Sequence, residues 1–253
     1  MDAIQLHEEQ SKIGRGFSAL DQKGRAYGGS EFHLLRYLGR HRNYLNKRIV
    51  AAIGCEQVRW LDSLAGSDQY GQPRDAVWKQ LDFLPAGSPA RKSWSEFWPQ
   101  SADQQSWDAV GVAGFKQGDE WLLVEAKAHK GELKSSCGAS KDDGRPLIEQ
   151  FLKSTKQRLG VLASRDWLNG YHQYCNRLAL LNFLTEKGVS ARLLFIYFIG
   201  TEFPDWSAEC PTTAEEWQSS LFEMDKHVGL ANHNPLKARV HRLFLPLFPS
   251  GSN

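Results

Sequence analysis

Between Ser106 and His129 the alternation of apolar and polar positions is sharpest. Trp121, Leu122, Leu123 and Val124 have the length and composition of a buried strand, and they lead directly into Glu125, Ala126, Lys127, Ala128 and His129. A strand alternates faces. Glu125, Lys127 and His129 therefore share one side, while Val124, Ala126 and Ala128 make an opposite side apolar and small enough for close helix packing. Upstream, SWDAVGVAGF (106–115) is a second apolar segment, and Lys116, Gln117, Gly118 and Asp119 are turn chemistry, which predicts an antiparallel hairpin. A two- or four-residue loop centred on Gln117 and Gly118 sets Phe115 against Glu120, Val110 against Glu125 and Asp108 against Lys127. Asp108 then lies diagonal to Glu125, roughly 7–8 Å away at the backbone. A three-residue loop moves Asp108 to the other face.

Helical spacing governs residues 31–53, where Leu34, Leu35, Leu38, Leu45, Ile49 and Ile53 form one stripe behind Ser30 as N-cap. The opposite face carries Arg36, Arg40, Arg42, Lys47 and Arg48, either a solvated surface or a contact for a nucleic-acid backbone. A short strand is expected at 58–61, and helices at 146–159 and in the second half of 166–188, which Gly188 ends. Residues 191–200, ARLLFIYFIG, are apolar on both faces and predict a central strand covered by helices on both sides. A helix over 210–230 opens at Pro211, Thr212 and Thr213, and 239–248 adds a last strand that Pro246 places at an edge or ends. The pattern predicts one α/β domain over 1–253, with a mixed central sheet sandwiched by helices. Residues 1–29 are expected as a loosely packed arm and 62–105 as an insertion covering a sheet edge, with Trp78, Trp94 and Trp98 anchoring it to the core.

Burying three ionisable groups on one strand face without partners costs several kcal/mol or more. That face must pair its charges internally or meet a metal, a substrate or solvent. Asp108, then a hairpin, then Glu125, Ala126 and Lys127 resemble the D…(D/E)xK signature of the PD-(D/E)xK nuclease superfamily, with its restriction-endonuclease-like fold. The resemblance implies an αβββαβ core with peripheral additions. It also implies Asp108 and Glu125 as ligands of Mg²⁺ or Mn²⁺, with Lys127 as the catalytic lysine that positions or activates the attacking water. Trp107 stands where the signature has proline. A first helix in that superfamily often supplies a further acid, which makes Glu31 a candidate metal ligand, with Glu96 as an alternative. The plain reading of Glu31 is a first-turn glutamate favoured by the helix dipole. The cluster Tyr171, His172, Gln173, Tyr174, Asn176 and Arg177 resembles a motif in an uncharacterised bacterial branch of the superfamily, which implies a cleft lined by Tyr174 and Arg177. Core packing of Tyr174 with its hydroxyl satisfied is the alternative. His129, in front of the Gly-, Ser- and Lys-rich loop 130–146, and Gln150 on the following helix complete the candidate substrate contacts.

At 253 residues with 41% hydrophobic and 24% charged, the chain is long enough for a full core. A net charge of +2 leaves no global field to draw it onto nucleic acid, so any basic surface is local. Cys55, Cys137, Cys175 and Cys210 are widely spaced without a CxxC pair, which argues against a zinc site or disulfide framework and for a reducing compartment. No signal-like segment and no apolar run near the roughly 20 residues of a membrane span is present, so a cytoplasmic protein without a membrane partner is expected. The expected activity is metal-dependent hydrolysis of DNA or RNA. Two alternatives stand beside it, a non-cleaving nucleic-acid-binding protein of the same fold and a structural subunit of a larger complex.

Overall fold

The computed structural model describes residues 19–20, 26–61, 66–67, 73–74, 78–98, 105–140, 144–200 and 210–249. Five strands pair in one sheet in their chain order: β1 (Gln57–Trp60), β2 (Ala109–Phe115), β3 (Gly118–Lys127), β4 (Ala191–Ile199) and β5 (Val240–Pro246). The ladders β1/β2 and β2/β3 are antiparallel, while β3/β4 and β4/β5 are parallel. Among the described residues six α-helices accompany the sheet: α1 (Gly29–Arg40), α2 (Arg42–Ile53), α3 (Pro89–Phe97), α4 (Arg145–Arg158), α5 (His172–Glu186) and α6 (Ala214–Val228). The fold is thus α/β with a mixed sheet. β4 lies inside the sheet, buried on both faces, and β5 is its edge, as the apolar run at 191–200 and Pro246 predict.

Two apolar cores separate the layers. On one face Leu34, Tyr37, Leu45 and Ile49 of α1 and α2 pack on Val124, Ala126, Ala128, Ile196 and Phe198. The small side of β3 therefore receives a helix, as its alanines predict. On the other face α3, α4, α5 and α6 pack over Leu123, Leu193, Phe195 and Tyr197. Glu125 and Lys127 belong to this second face by strand alternation.

The expected single helix at 31–53 is two. His41 interrupts it with φ −125° and ψ 28°, and the stripe resumes at Leu45. Leu38 and Leu45 are seven residues apart, two turns of one continuous helix, so the spacing does not announce the break. Both halves bury their apolar faces on the sheet. Gly54, at φ 72°, then closes α2 in the left-handed region that disfavours residues with a Cβ.

The hairpin register departs from expectation by two residues. Phe115 pairs with Gly118 and Val110 with Leu123, so the loop is Lys116 and Gln117, and Gly118, at φ 129°, already belongs to β3. Val110 therefore does not face Glu125, nor Asp108 Lys127. Because a shift of two preserves the face, Asp108 moves level with Glu125 instead of diagonal to it.

Of the expected arm, residues 1–18 and 21–25 lie outside the described residues. Ala19–Leu20 pairs with Ala26–Gly28, and α1 begins at Gly29. Of the expected insertion, 62–65, 68–72, 75–77 and 99–104 lie outside them too. Its described part enters the core: Trp94 and Trp98 stack with centroids 4.9 Å apart, and both meet the ring of Phe151 on α4. Trp78–Lys79 pairs with Ser106–Trp107 just ahead of β2.

Candidate functional site

Where Ser106–Trp107 leaves to pair with Trp78–Lys79, the end of β3 loses β2 as a partner and keeps β4. Its amides are satisfied by carboxylates instead. Ala126 N–H donates to Asp108 Oδ2 at 2.7 Å, and Ala128 N–H donates to Glu132 Oε2 at 2.7 Å. Asp108 keeps one ladder bond, from its own N–H to the Val124 carbonyl at 3.2 Å. One oxygen of Asp108 is thus committed to the backbone, and Oδ1 remains.

Glu125 is the hub. Its Oε1 accepts from Lys127 Nζ at 2.6 Å, and its Oε2 accepts from Arg177 Nε at 3.0 Å. All three side chains are nearly removed from water, at 4% exposure for Glu125, 11% for Lys127 and 3% for Arg177. Lys127 Nζ also donates to Gln173 Oε1 at 2.9 Å. Arg177 is held further by the Ser106 carbonyl, which accepts from its Nη2, and by the Trp107 ring 4.6 Å below its guanidinium. The N-terminus of α5 places Gln173 and Arg177 one turn apart on one helix face. The loop after β3 fixes that N-terminus: Ser135 bridges to Tyr171, and Ser135 Oγ accepts from Gln173 N–H at 2.8 Å.

The charges respond to this crowding. Burial pushes the Asp108 carboxyl up, the Glu125 charge adds to the push, and Lys127, the Ala126 amide and Arg177 only partly offset it, leaving it pushed up to about 8. Burial pushes Glu125 up as well, but Lys127 and Arg177 outweigh burial and hold it below the usual carboxylate range. Lys127 is pulled down by burial and raised more by Glu125 and Asp108, so it stays a cation. Glu125 is thus neutralised by direct contact with two cations, while Asp108, bonded to the Ala126 amide, favours its protonated form.

Beside the cluster lies a small cleft of about 10 Å³, room for about one water molecule, lined by Lys127, Gln173, Tyr174, Phe195, Tyr197 and Met224 among others. Tyr174 lies against Phe195 with centroids 4.6 Å apart, and its hydroxyl accepts from Arg242 Nη2 at 3.4 Å. It is therefore both a core residue and a cleft wall. The buried Tyr197 hydroxyl has no hydrogen-bond partner among the described residues.

The structure thus brings Asp108, Glu125, Lys127, Tyr174 and Arg177 together. Arg177 points its guanidinium at Glu125 and the backbone instead of at solvent. His129 follows β3 and lies 3.5 Å from Glu132, while Gln150 and Glu96 are exposed on α4 and α3. Glu31 sits in the first turn of α1, the helix covering the opposite face of the sheet. Sequence reasoning names Gln173 in its cluster without giving it a role, and passes over Glu132 and Tyr197. Four-residue spacing from Arg177 is a usable signal for Gln173, whereas Glu132 and Tyr197 carry none.

Among the described residues no three His, Cys, Asp or Glu side chains converge as a ready metal cage. Asp108 Oδ1 and the remaining lone pairs of Glu125 do suit Mg²⁺ or Mn²⁺, since a small hard cation commonly takes one or two carboxylates and keeps water or phosphate oxygens elsewhere. The raised Asp108 carboxyl holds a proton that such an ion would have to displace. No family model, no curated protein and no solved structure matches the chain.

Proposed function

We propose that the protein is a divalent-metal-dependent phosphodiesterase, a nuclease acting on DNA or RNA with a restriction-endonuclease-like core. The observation that carries the reading is the place of Asp108 beside the Glu125–Lys127 ion pair where β2 and β3 separate, next to a small cleft. Asp108 and Glu125 would hold Mg²⁺ or Mn²⁺, which would supply charge neutralisation at the phosphate and a more acidic water. Lys127, kept protonated by its two acidic neighbours, serves as a fixed donor to the attacking water or the phosphate oxygens and does not take a proton. Gln173 aims the ammonium, and Arg177 holds Glu125 in place. The chain order of the strands and the crossover from β3 to parallel β4 agree with the αβββαβ arrangement. Incubating labelled DNA and RNA with the protein in Mn²⁺, with Lys127→Ala as control, tests the reading. Cleavage by the wild type alone supports it, and no cleavage of any substrate ends it.

One observation favours a second reading. Both oxygens of Glu125 already hold cationic side chains, so the cluster is a satisfied buried ion-pair network that a non-cleaving nucleic-acid-binding protein or a structural subunit would also retain. Salt-dependent binding of the same substrates without cleavage separates the first of these from the nuclease, and neither binding nor cleavage leaves the subunit.

A further inference from the structure

Residues 32–55 contain Arg36, Arg40, Arg42, Lys47 and Arg48 and no Asp or Glu, although the chain as a whole is nearly balanced. They form most of α1 and all of α2, whose inner faces are spent on the sheet through Leu34, Tyr37, Leu45 and Ile49. Arg40, Lys47 and Arg48 are exposed on the outside. Arg48 donates to the Tyr44 hydroxyl at 3.3 Å and to the Phe244 carbonyl at 3.4 Å, contacts that orient its guanidinium without neutralising it. Acids on the adjoining strands are already used, Asp119 by Arg59 and Glu120 by Arg192 and Arg239. The face also carries internal repulsion. Burial lowers the Arg36 guanidinium, and Arg40, one turn on, pushes it the same way. Such a face gains by meeting negative charge.

We propose that the outer face of α1 and α2, carried by Arg40, Lys47 and Arg48, is a docking surface for the phosphate backbone of a nucleic acid. Its guanidinium-rich make-up suits phosphate oxygens, which accept paired N–H donors. A bilayer fits less well, because of the exposed large apolar residues among those described, Leu147, Leu162, Phe222 and Phe248, only Phe248 meets these helices, with the Arg36 guanidinium over its ring. The location is informative too. A Cβ built on Gly29 would lie 3.5 Å from Glu132 Oε1 at the end of β3, and Tyr37 Oη donates to the Pro246 carbonyl at the end of β5. α1 therefore runs along the sheet end that carries Glu125 and Lys127. Its twelve residues span about 18 Å. The surface lies on the sheet face opposite the cleft, so its phosphate contacts are separate from any made at Lys127.

The inference rests on the nucleic-acid partner of the reading above but not on cleavage. Its test is fluorescence anisotropy of a labelled 30-base-pair DNA duplex and a labelled single-stranded RNA, titrated with the wild type and with Arg40→Gln/Lys47→Gln/Arg48→Gln in about 50–200 mM salt. The combined variant should bind at least about ten-fold more weakly at the lowest salt, with the slope of log K against log salt shallower by about two to three, because each cation removed leaves one phosphate with its counterions. Unchanged affinity and slope in the variant overturn the proposal. So does a wild type that binds neither polymer, or one that binds only phosphatidylserine vesicles. If the combined variant misfolds by circular dichroism, Arg40→Gln/Lys47→Gln should still flatten the slope by about one to two. Lys127→Ala separates the two failures, because loss of cleavage with retained binding concerns the cleft alone.

Discussion

Ala126 donates its backbone N–H to the Asp108 carboxylate at 2.7 Å, in the place where a paired strand would have offered a carbonyl. Asp108 thereby completes the sheet and stands beside Glu125, and the two duties conflict. The backbone bond favours the charged carboxylate, whereas burial and Glu125 disfavour a second negative charge.

That conflict sets a pH dependence. A carboxyl raised in the folded state keeps a proton that the unfolded chain releases, so its stabilisation is complete below the unfolded value near 4 and is lost as pH rises towards 8. Asparagine can still accept from Ala126 and carries no charge. In chelator, Asp108→Asn should melt above the wild type by a margin that grows from pH 4 to pH 8 and then levels off, on the order of 1–3 kcal/mol at the plateau. Mn²⁺ should raise the wild-type melting temperature more at pH 8 than at pH 5 and do little for the variant. A margin that ignores pH, or a destabilised variant whose parent ignores metal, would remove the two-carboxylate site.

Face and element are largely legible along the chain; partner and register are not. Alternation at Glu125 and Lys127 identifies their common face without reference to anything distant, because the period of a strand is local. The turn KQGD accommodates more than one loop, and only packing selects Phe115 opposite Gly118. The Glu125–Arg177 contact spans 52 residues, and no periodicity reports it. Crowding of polar types points to Tyr174 and Arg177 as cleft residues, yet the fold turns Arg177 inward, and it is Gln173 that meets Lys127. His41 breaks a helix whose spacing looks continuous, since the sheet below and not the stripe decides where it bends.

Glu125→Gln and Lys127→Ala should each abolish cleavage in Mn²⁺, and they should differ in stability. The amide leaves Arg177 and Lys127 facing a neutral group inside the protein, a loss of about 3–5 kcal/mol by analogy with other broken buried pairs. Lys127→Ala leaves Glu125 its bond to Arg177, so its loss should be the smaller one. Single-turnover cleavage beside urea melts checks both, and full activity in either variant removes the reaction from this strand.

Arg177→Ala separates an internal role from a substrate contact. With Nε on Glu125, Nη2 on Ser106 and its plane over Trp107, the guanidinium has little left for a phosphate. The variant should lose about 3 kcal/mol or more of stability while the salt slope of nucleic-acid binding stays that of the wild type. A slope shallower by about one would instead make Arg177 a phosphate ligand.

Tyr197 offers the cleanest single-atom change. Register sets it beside Lys127 across the β3/β4 ladder, with its ring against Trp217 and Phe244 and its hydroxyl at the cleft wall. Burial pushes that hydroxyl far above the usual tyrosine range, so it stays neutral at any pH at which the fold is studied. A buried hydroxyl without a partner costs about 1–3 kcal/mol, and phenylalanine keeps the ring while removing the cost. Tyr197→Phe should therefore raise the melting temperature by a few degrees in chelator and leave the response to Mn²⁺ unchanged. If the variant instead melts lower, the hydroxyl holds a water in the cleft, and a drop in cleavage rate at constant KM would then place that water on the path of the reaction.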